Sequence, residues 1–351
     1  MRIDLDDLTG RGQLLLARTL NALPDAVVAR LAGDLEADGQ RVDPRLALIL
    51  QSEERLRTDG EPTVAERRAS IARGSRVAAG LLHVPVGSVR DLTVRGGGGV
   101  LRARHYAPEA GQGRPLVLFL HGGGWVTGDL DSHDLPCRLL CKHADVHVVA
   151  VDYRLAPESP FPAAVEDAVA AYSWALDHAE ELGADASRIG VAGDSAGGNL
   201  AAVVSQQAVD AGIQRPAAQL LIYPGVDASE ARPSKSLFGE GFLLTRAAMD
   251  WYVETYAGGT DRHDPRLSPL LAKDLSGLPP TLVETAGLDP LRDEGEDYAA
   301  ALREAGVPVV LRRARGLVHG FANLGGIHRP SLDETVAMIG AFSALLDSPP
   351  R

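Results

Sequence analysis

Val191-Ala192-Gly193-Asp194-Ser195-Ala196-Gly197-Gly198-Asn199 sets a serine between two glycines, in the pattern G-x-S-x-G. Upstream, Arg188-Ile189-Gly190-Val191-Ala192 is a short apolar run of strand type. Downstream, Asn199-Leu200-Ala201-Ala202-Val203-Val204 has the composition of a buried helix. A serine in so tight a strand-to-helix turn needs small neighbours, because a nearby Cβ would clash with the turn. The hydroxyl then stands clear of the sheet, and the amide of Ala196 faces a developing oxyanion. The pattern alone is short and common, so its chemistry depends on finding partners elsewhere in the chain.

The surrounding chain reads as an α/β fold. From Pro115 onward, apolar runs at 116–120, 146–151, 188–192, 219–223, 281–285 and 309–313 alternate with helical stretches near 133–143, 162–180, 196–211, 293–305 and 331–346. That alternation is the signature of a mostly parallel central sheet flanked by helices. Asp91-Leu92-Thr93-Val94 and Val100 to Tyr106 flank the glycines 96–99 and read as a hairpin. Nothing helical follows these glycines, so a phosphate cradle is not the reading. Residues 1–85 have Leu, Ala and Arg at helical spacing, as in Leu14 to Leu20, with no strand expected among them. Residues 225–265 break the alternation and carry Phe238, Phe242, Trp251, Tyr252 and Tyr256. The division expected is therefore N-terminal helices over 1–85 forming part of a cap, a catalytic domain over 86–224 and 266–351, and a cap insertion over 225–265.

Composition narrows the function. A net charge of -12 over 351 residues argues against a nucleic-acid partner, whose binding surfaces are basic. No run of 18 uninterrupted apolar residues occurs, so neither a transmembrane helix nor stable membrane association is expected. The start, Met1-Arg2-Ile3-Asp4-Leu5-Asp6-Asp7, is acidic where a secretory leader would be basic, so the expected location is cytoplasmic. The two cysteines, Cys137 and Cys141, align with His133 at helical spacing and His143 lies nearby. One helix face rarely surrounds a metal, so these are read as core positions and no metal is expected. No cofactor is expected either.

The partners of Ser195 follow in the chain order Ser, Asp, His. Asp289, in Gly287-Leu288-Asp289-Pro290, comes directly after the 281–285 strand, at the carboxyl end of the sheet where open α/β folds bind ligands. Asp293 competes, but it suits the first turn of the following helix. Asp227 is a third candidate. His319, in Val318-His319-Gly320-Phe321, follows the last strand and reads as the base. His328, beside Arg329-Pro330, reads as a surface turn. His121-Gly122-Gly123-Gly124-Trp125 follows the 116–120 strand. Three glycines there suit close backbone approach, with the amides of Gly123 and Gly124 joining that of Ala196. His121 holds the loop, and Asp194 anchors the elbow. Trp125, Phe238 and Phe242 are candidates for lining an acyl or alcohol pocket, with simple packing as the plainer alternative. Arg154 and Glu158 suggest a buried arginine–carboxylate pair behind the glycine loop.

Taken together, His121 to Trp125, Gly193 to Asn199, Asp289-Pro290-Leu291-Arg292-Asp293-Glu294-Gly295 and His319-Gly320-Phe321 resemble the hormone-sensitive-lipase-like carboxylesterases of bacteria. Asp152-Tyr153-Arg154-Leu155-Ala156-Pro157-Glu158 and the following Pro160 to Ala164 resemble them too, so the likeness runs over about residues 90 to 345. It implies an α/β-hydrolase fold with a helical cap, acting on esters of short to medium acyl chain through an acyl-enzyme. It also implies Ser195, Asp289 and His319 as the triad, and Gly123, Gly124 and Ala196 as the oxyanion hole. The expected partner is a small-molecule ester. Relatives of that family often pair, so a homodimer is an expectation, although no apolar stripe here demands one. Two other readings stay open: hydrolysis of an amide or N-acetyl group with the same apparatus, and a small-molecule receptor on the same scaffold. A lipase for long-chain fat fits less well, because the 225–265 segment mixes charges among its aromatics.

Overall fold

The computed structural model describes residues 19, 22–56, 61–79, 82–109 and 112–347. The run Leu14 to Leu20 lies almost wholly outside them. Eight strands form the central sheet: β3 (Ser88–Gly96), β4 (Gly99–Ala107), β5 (Arg114–Leu120), β6 (His147–Val151), β7 (Ala184–Asp194), β8 (Gln219–Ile222), β9 (Thr281–Leu288) and β10 (Val309–Val318). Their order across the sheet is β10-β9-β8-β7-β5-β6-β4-β3. The pairs from β6 to β10 are parallel, while β3 and β4 form an antiparallel hairpin that turns at Gly97-Gly98 and β4 also pairs antiparallel with β6.

Strands β5, β6, β8 and β9 are buried along nearly their whole length, and this is why they read as continuous apolar runs. The pleat splits their side chains between two cores. Leu116, Leu118 and Leu120 face one, with helices α5 (Ala163–His178), α6 (Ala196–Asp210) and α9 (Arg292–Glu304). Val117 and Phe119 face the other, with α4 (Asp134–Ala144) and α10 (Arg329–Leu346). Cys137 and Cys141 belong to that second core as unpaired thiols. Among the described residues no cluster could hold a metal, and no helix is long and apolar enough to cross a membrane.

The N-terminal segment departs from expectation. Helices α1 (Asp25–Ala32), α2 (Pro44–Leu56) and α3 (Val64–Ala79) are there, but β1 (Glu36–Ala37) and β2 (Gln40–Arg41) form a small antiparallel hairpin between the first two. Asp38 and Gly39, both at positive φ (52° and 62°), make its two-residue turn. Asp-Gly is the dipeptide that such a turn selects, because both positions need left-handed backbone. The 225–265 segment contains two helices, α7 (Pro233–Leu237) and α8 (Arg246–Ala257). Its entrance and exit are stitched to α6, where Asn199 Nδ2 donates to the carbonyls of Gly225 and Leu267, 2.8 Å in each case. The buried Glu294 accepts from the amides of Val226 (2.8 Å) and Asp227 (3.2 Å).

Candidate active site

Ser195 stands at the step from β7 into α6, with φ 55° and ψ -118°. A non-glycine residue there costs on the order of 1–3 kcal/mol and persists only where its surroundings over-determine it. They do so here. Its amide donates to the carbonyl of Ile222 at 2.9 Å, and its carbonyl accepts from Asn199 N at 3.0 Å. The two flanking glycines are demanded by space. A Cβ on Gly193 would run into the backbone of Gly197, and one on Gly197 into the carbonyl of Leu120 at the end of β5.

Asp289 directly follows β9 and is fully buried. One carboxylate oxygen accepts from Leu291 N (2.8 Å), and the other lies 2.8 Å from Nδ1 of His319. His319 directly follows β10, and its Nε2 is 2.9 Å from Ser195 Oγ. A carboxylate only accepts, so Nδ1 carries the proton and Nε2 is left as the acceptor for the serine hydroxyl. The ring of Tyr223 packs on the imidazole with centroids 4.8 Å apart, and Phe321 meets Tyr223 edge-on at 5.3 Å. The three residues expected to work together, separated by 94 and 30 positions, thus form one hydrogen-bonded chain. Asp293 instead accepts from Ser234 N and pairs with Arg292, and Asp227 pairs with Arg232; neither touches His319.

The glycine loop after β5 is held by its carbonyls. That of Gly122 accepts from His121 Nδ1 (2.8 Å), and that of Gly123 from Thr127 N and Oγ1 (2.9 Å each). In a trans peptide the N–H points opposite to the C=O, so these anchors turn the Gly123 and Gly124 amides away from the loop's own supports. Ala196 opens helix α6, so its N–H has no acceptor within the helix. Burial, and then His133 nearby, depress the basicity of His121 to about 4, so its ring is neutral with the proton on Nδ1. Tyr153 stacks on that ring and donates to the His121 carbonyl at 2.6 Å.

Asp194 does anchor the elbow. Its Oδ1 accepts from Gly122 N (2.8 Å) and faces His133 Nε2 (3.2 Å), tying the serine turn to the glycine loop. Burial alone would raise its pKa, but His133 and the Gly122 amide hold it below the usual carboxylate value. Asn323 Nδ2 approaches the other oxygen at 3.4 Å. His133 therefore caps this network rather than joining the two cysteines as a ligand.

Trp125, at φ 59°, is buried and stacks on Tyr256 of α8 with centroids 4.6 Å apart. Phe238 and Phe242 are buried and pack edge to face, and Phe238 lies beneath the guanidinium of Arg292. His328 is not a surface turn. It is buried, and held by Ser331 Oγ (2.8 Å) and by Asp43 (3.1 Å), the residue just before helix α2. Arg154 and Glu158 do not form a pair. Arg154 pairs with the buried Asp167 of α5, and Glu158 with Arg68 of α3. Tyr223 and Arg68 carry no signal in the sequence, and Tyr252 reads there only as one aromatic of the 225–265 segment. The ring of Tyr252, on α8, occupies the space a Cβ at Gly124 would fill, and Arg68 donates to the carbonyls of Val126 and Ala156.

Residues 117–323 match the family model of the α/β hydrolase fold. The chain is 48% identical over 320 residues to the carboxylic ester hydrolase LipN of Mycobacterium tuberculosis, covering 88% of this chain and 84% of that one. It is 41% identical to the ethyl acetate hydrolase of Pseudomonas putida, covering 85% and 97%. The solved structure of the Pyrobaculum calidifontis esterase superposes with a TM-score of 0.83 at 40% identity, covering 88% of this chain and all of that one. On these matches the chain belongs to the α/β-hydrolase-fold family and to its hormone-sensitive-lipase-like carboxylesterases.

Proposed function

We propose that this enzyme is a serine carboxylesterase working through an acyl-enzyme on esters of short to medium acyl chain. One observation carries the reading: a strained Ser195 whose hydroxyl meets His319 Nε2 at 2.9 Å while Nδ1 meets Asp289 at 2.8 Å. Ser195 Oγ attacks the ester carbonyl and its proton passes to Nε2. The tetrahedral oxyanion is received by the amides of Gly123, Gly124 and Ala196, each worth on the order of 3 kcal/mol to the transition state. The alcohol departs with the proton from Nε2. Water, deprotonated by the same nitrogen, then releases the acid. Asp289 fixes the tautomer of His319 and stabilises its cation.

Helices α3 and α8 are read as the cap. Support comes from Arg67, which lies 4.1 Å over the ring of Trp251, and from Tyr252 seated against Gly124. A pair of buried, unbridged cysteines suits a cytoplasmic site of action. The reading is tested with p-nitrophenyl esters from acetate to palmitate. Turnover is expected to favour short and medium chains and to fall by roughly five to six orders of magnitude in Ser195→Ala. Undiminished turnover in that variant would refute the assignment.

A further inference from the structure

The parallel pairing of β9 and β10 is interrupted just before both strands deliver their functional side chains. Ala314 lies opposite Ala286 and Val318 opposite Leu288, so β10 spends four residues where β9 spends two. Such a bulge leaves ladder groups without their usual partners. Here the gap falls at Gly287, two residues before Asp289, and at Gly316, three before His319. The side chain of Gln40, from the N-terminal hairpin, fills it. Its Nε2 donates to the Gly287 carbonyl at 3.0 Å, and its Oε1 accepts from the Gly316 amide at 3.0 Å. One carboxamide thus replaces the missing rung, reaching across 247 and 276 positions of sequence.

The fit is close. Gln40 is buried, and a Cβ on Gly287 would collide with its Oε1. Gly316, at φ 72°, would put a Cβ 2.8 Å from the Arg41 carbonyl. A second tie from the same hairpin lies alongside, where Asp38 pairs with Arg292 Nη1 at 2.7 Å and Arg292 also donates to the Gly287 carbonyl at 3.2 Å. Glutamine offers a donor and an acceptor at this length whatever the pH. A leucine would leave the buried Gly316 amide unpaired and the Gly287 carbonyl with only its longer bond from Arg292, and strand ends relax when such groups lose partners.

We propose that Gln40 is a positioning residue for the acid–base pair, setting the spacing of Asp289 and His319 by bridging the strands that carry them. This rests on the triad reading given above. A base displaced by about 1 Å costs on the order of a hundredfold in rate.

The test is Gln40→Leu in the full chain, with kcat and KM for p-nitrophenyl butyrate measured alongside circular dichroism. The expected result is a fall in kcat of tenfold or more with KM within about threefold. Gln40→Glu supplies a second readout. Ionised, its carboxylate accepts from Gly316 but repels the Gly287 carbonyl; protonated, its hydroxyl donates and the bridge returns. The ratio of its kcat to that of the wild-type enzyme should therefore rise as pH falls from 8 to 5.5. A folded Gln40→Leu with unchanged kcat, or a change confined to KM, would overturn the proposal. If that variant does not fold, a pH-independent ratio for Gln40→Glu would overturn it instead. Ser195→Ala separates the two readings. Full activity there sinks the triad itself, whereas a dead Ser195→Ala beside an unaffected Gln40→Leu sinks only the role of Gln40.

Discussion

Replacing Gly197 with alanine tests whether the serine turn is built by steric exclusion. The added Cβ would lie 2.5 Å from the carbonyl carbon of Leu120 and 2.6 Å from the His121 carbonyl oxygen, with the Leu120 oxygen nearer still. Ordinary Cβ contacts begin near 3.4 Å. All three obstacles are backbone, so no rotamer relieves them, and α6 must move from β5 by roughly 1 Å. Ser195 rides on the first turn of that helix. A shift of that size stretches its 2.9 Å bond to His319 to about 4 Å, outside proton-transfer reach. The expected cost is about 1–3 kcal/mol of stability from overpacking and at least a hundredfold in kcat. Thermal unfolding and p-nitrophenyl butyrate turnover measure both. A folded Gly197→Ala with kcat within threefold of the wild type would refute the steric argument.

Three further outcomes follow from particular contacts. Asp289→Asn keeps the shape but offers Nδ1 of His319 a partner that can donate, so the wrong tautomer becomes available; kcat should fall about ten-thousandfold with the fold intact by circular dichroism. Gly340→Ala, within helix α10 with nothing inside 4 Å of the new methyl, should stabilise the protein by about 0.5–1 kcal/mol, read as a raised urea midpoint at unchanged activity. His105 is held at about 4 by burial and by the adjacent His147 and Arg90, against an ordinary 6.5. Its folded form therefore binds fewer protons than the unfolded chain between those values, so this stability is complete above 6.5 and lost as pH falls. Glu284, pushed up to about 8 by burial, acts with the opposite sign, so the effect must be read by difference. Wild type minus His105→Gln should show a slope of about 1.4 kcal/mol per pH unit between 6.5 and 4 in urea unfolding, and parallel curves would contradict it.

The parts of this molecule that could be read from sequence are those fixed by local chemistry. Glycines in a tight turn, apolar runs buried on both faces, and an acid and a base placed just after strands all leave signals within a few residues. Even so, β9 runs on to Leu288 and β10 to Val318, past the 285 and 313 expected, because a strand's end is set by its neighbour's pairing. The hairpin at Glu36–Arg41 had a signal in Asp38-Gly39, masked by the helical spacing on either side. His328 looked exposed beside Arg329-Pro330, yet it is buried and held by Asp43, 285 residues earlier. Tyr223 behind the imidazole and Arg68 on the loop carbonyls carry no local mark. Their roles come from packing between distant segments.

The most direct measurement is reaction with a p-nitrophenyl dialkyl phosphate followed by peptide mapping. The account predicts stoichiometric release of p-nitrophenol, lasting inactivation, and a single dialkylphosphoryl group on the oxygen of Ser195. No burst, or a label on any other residue, would contradict it.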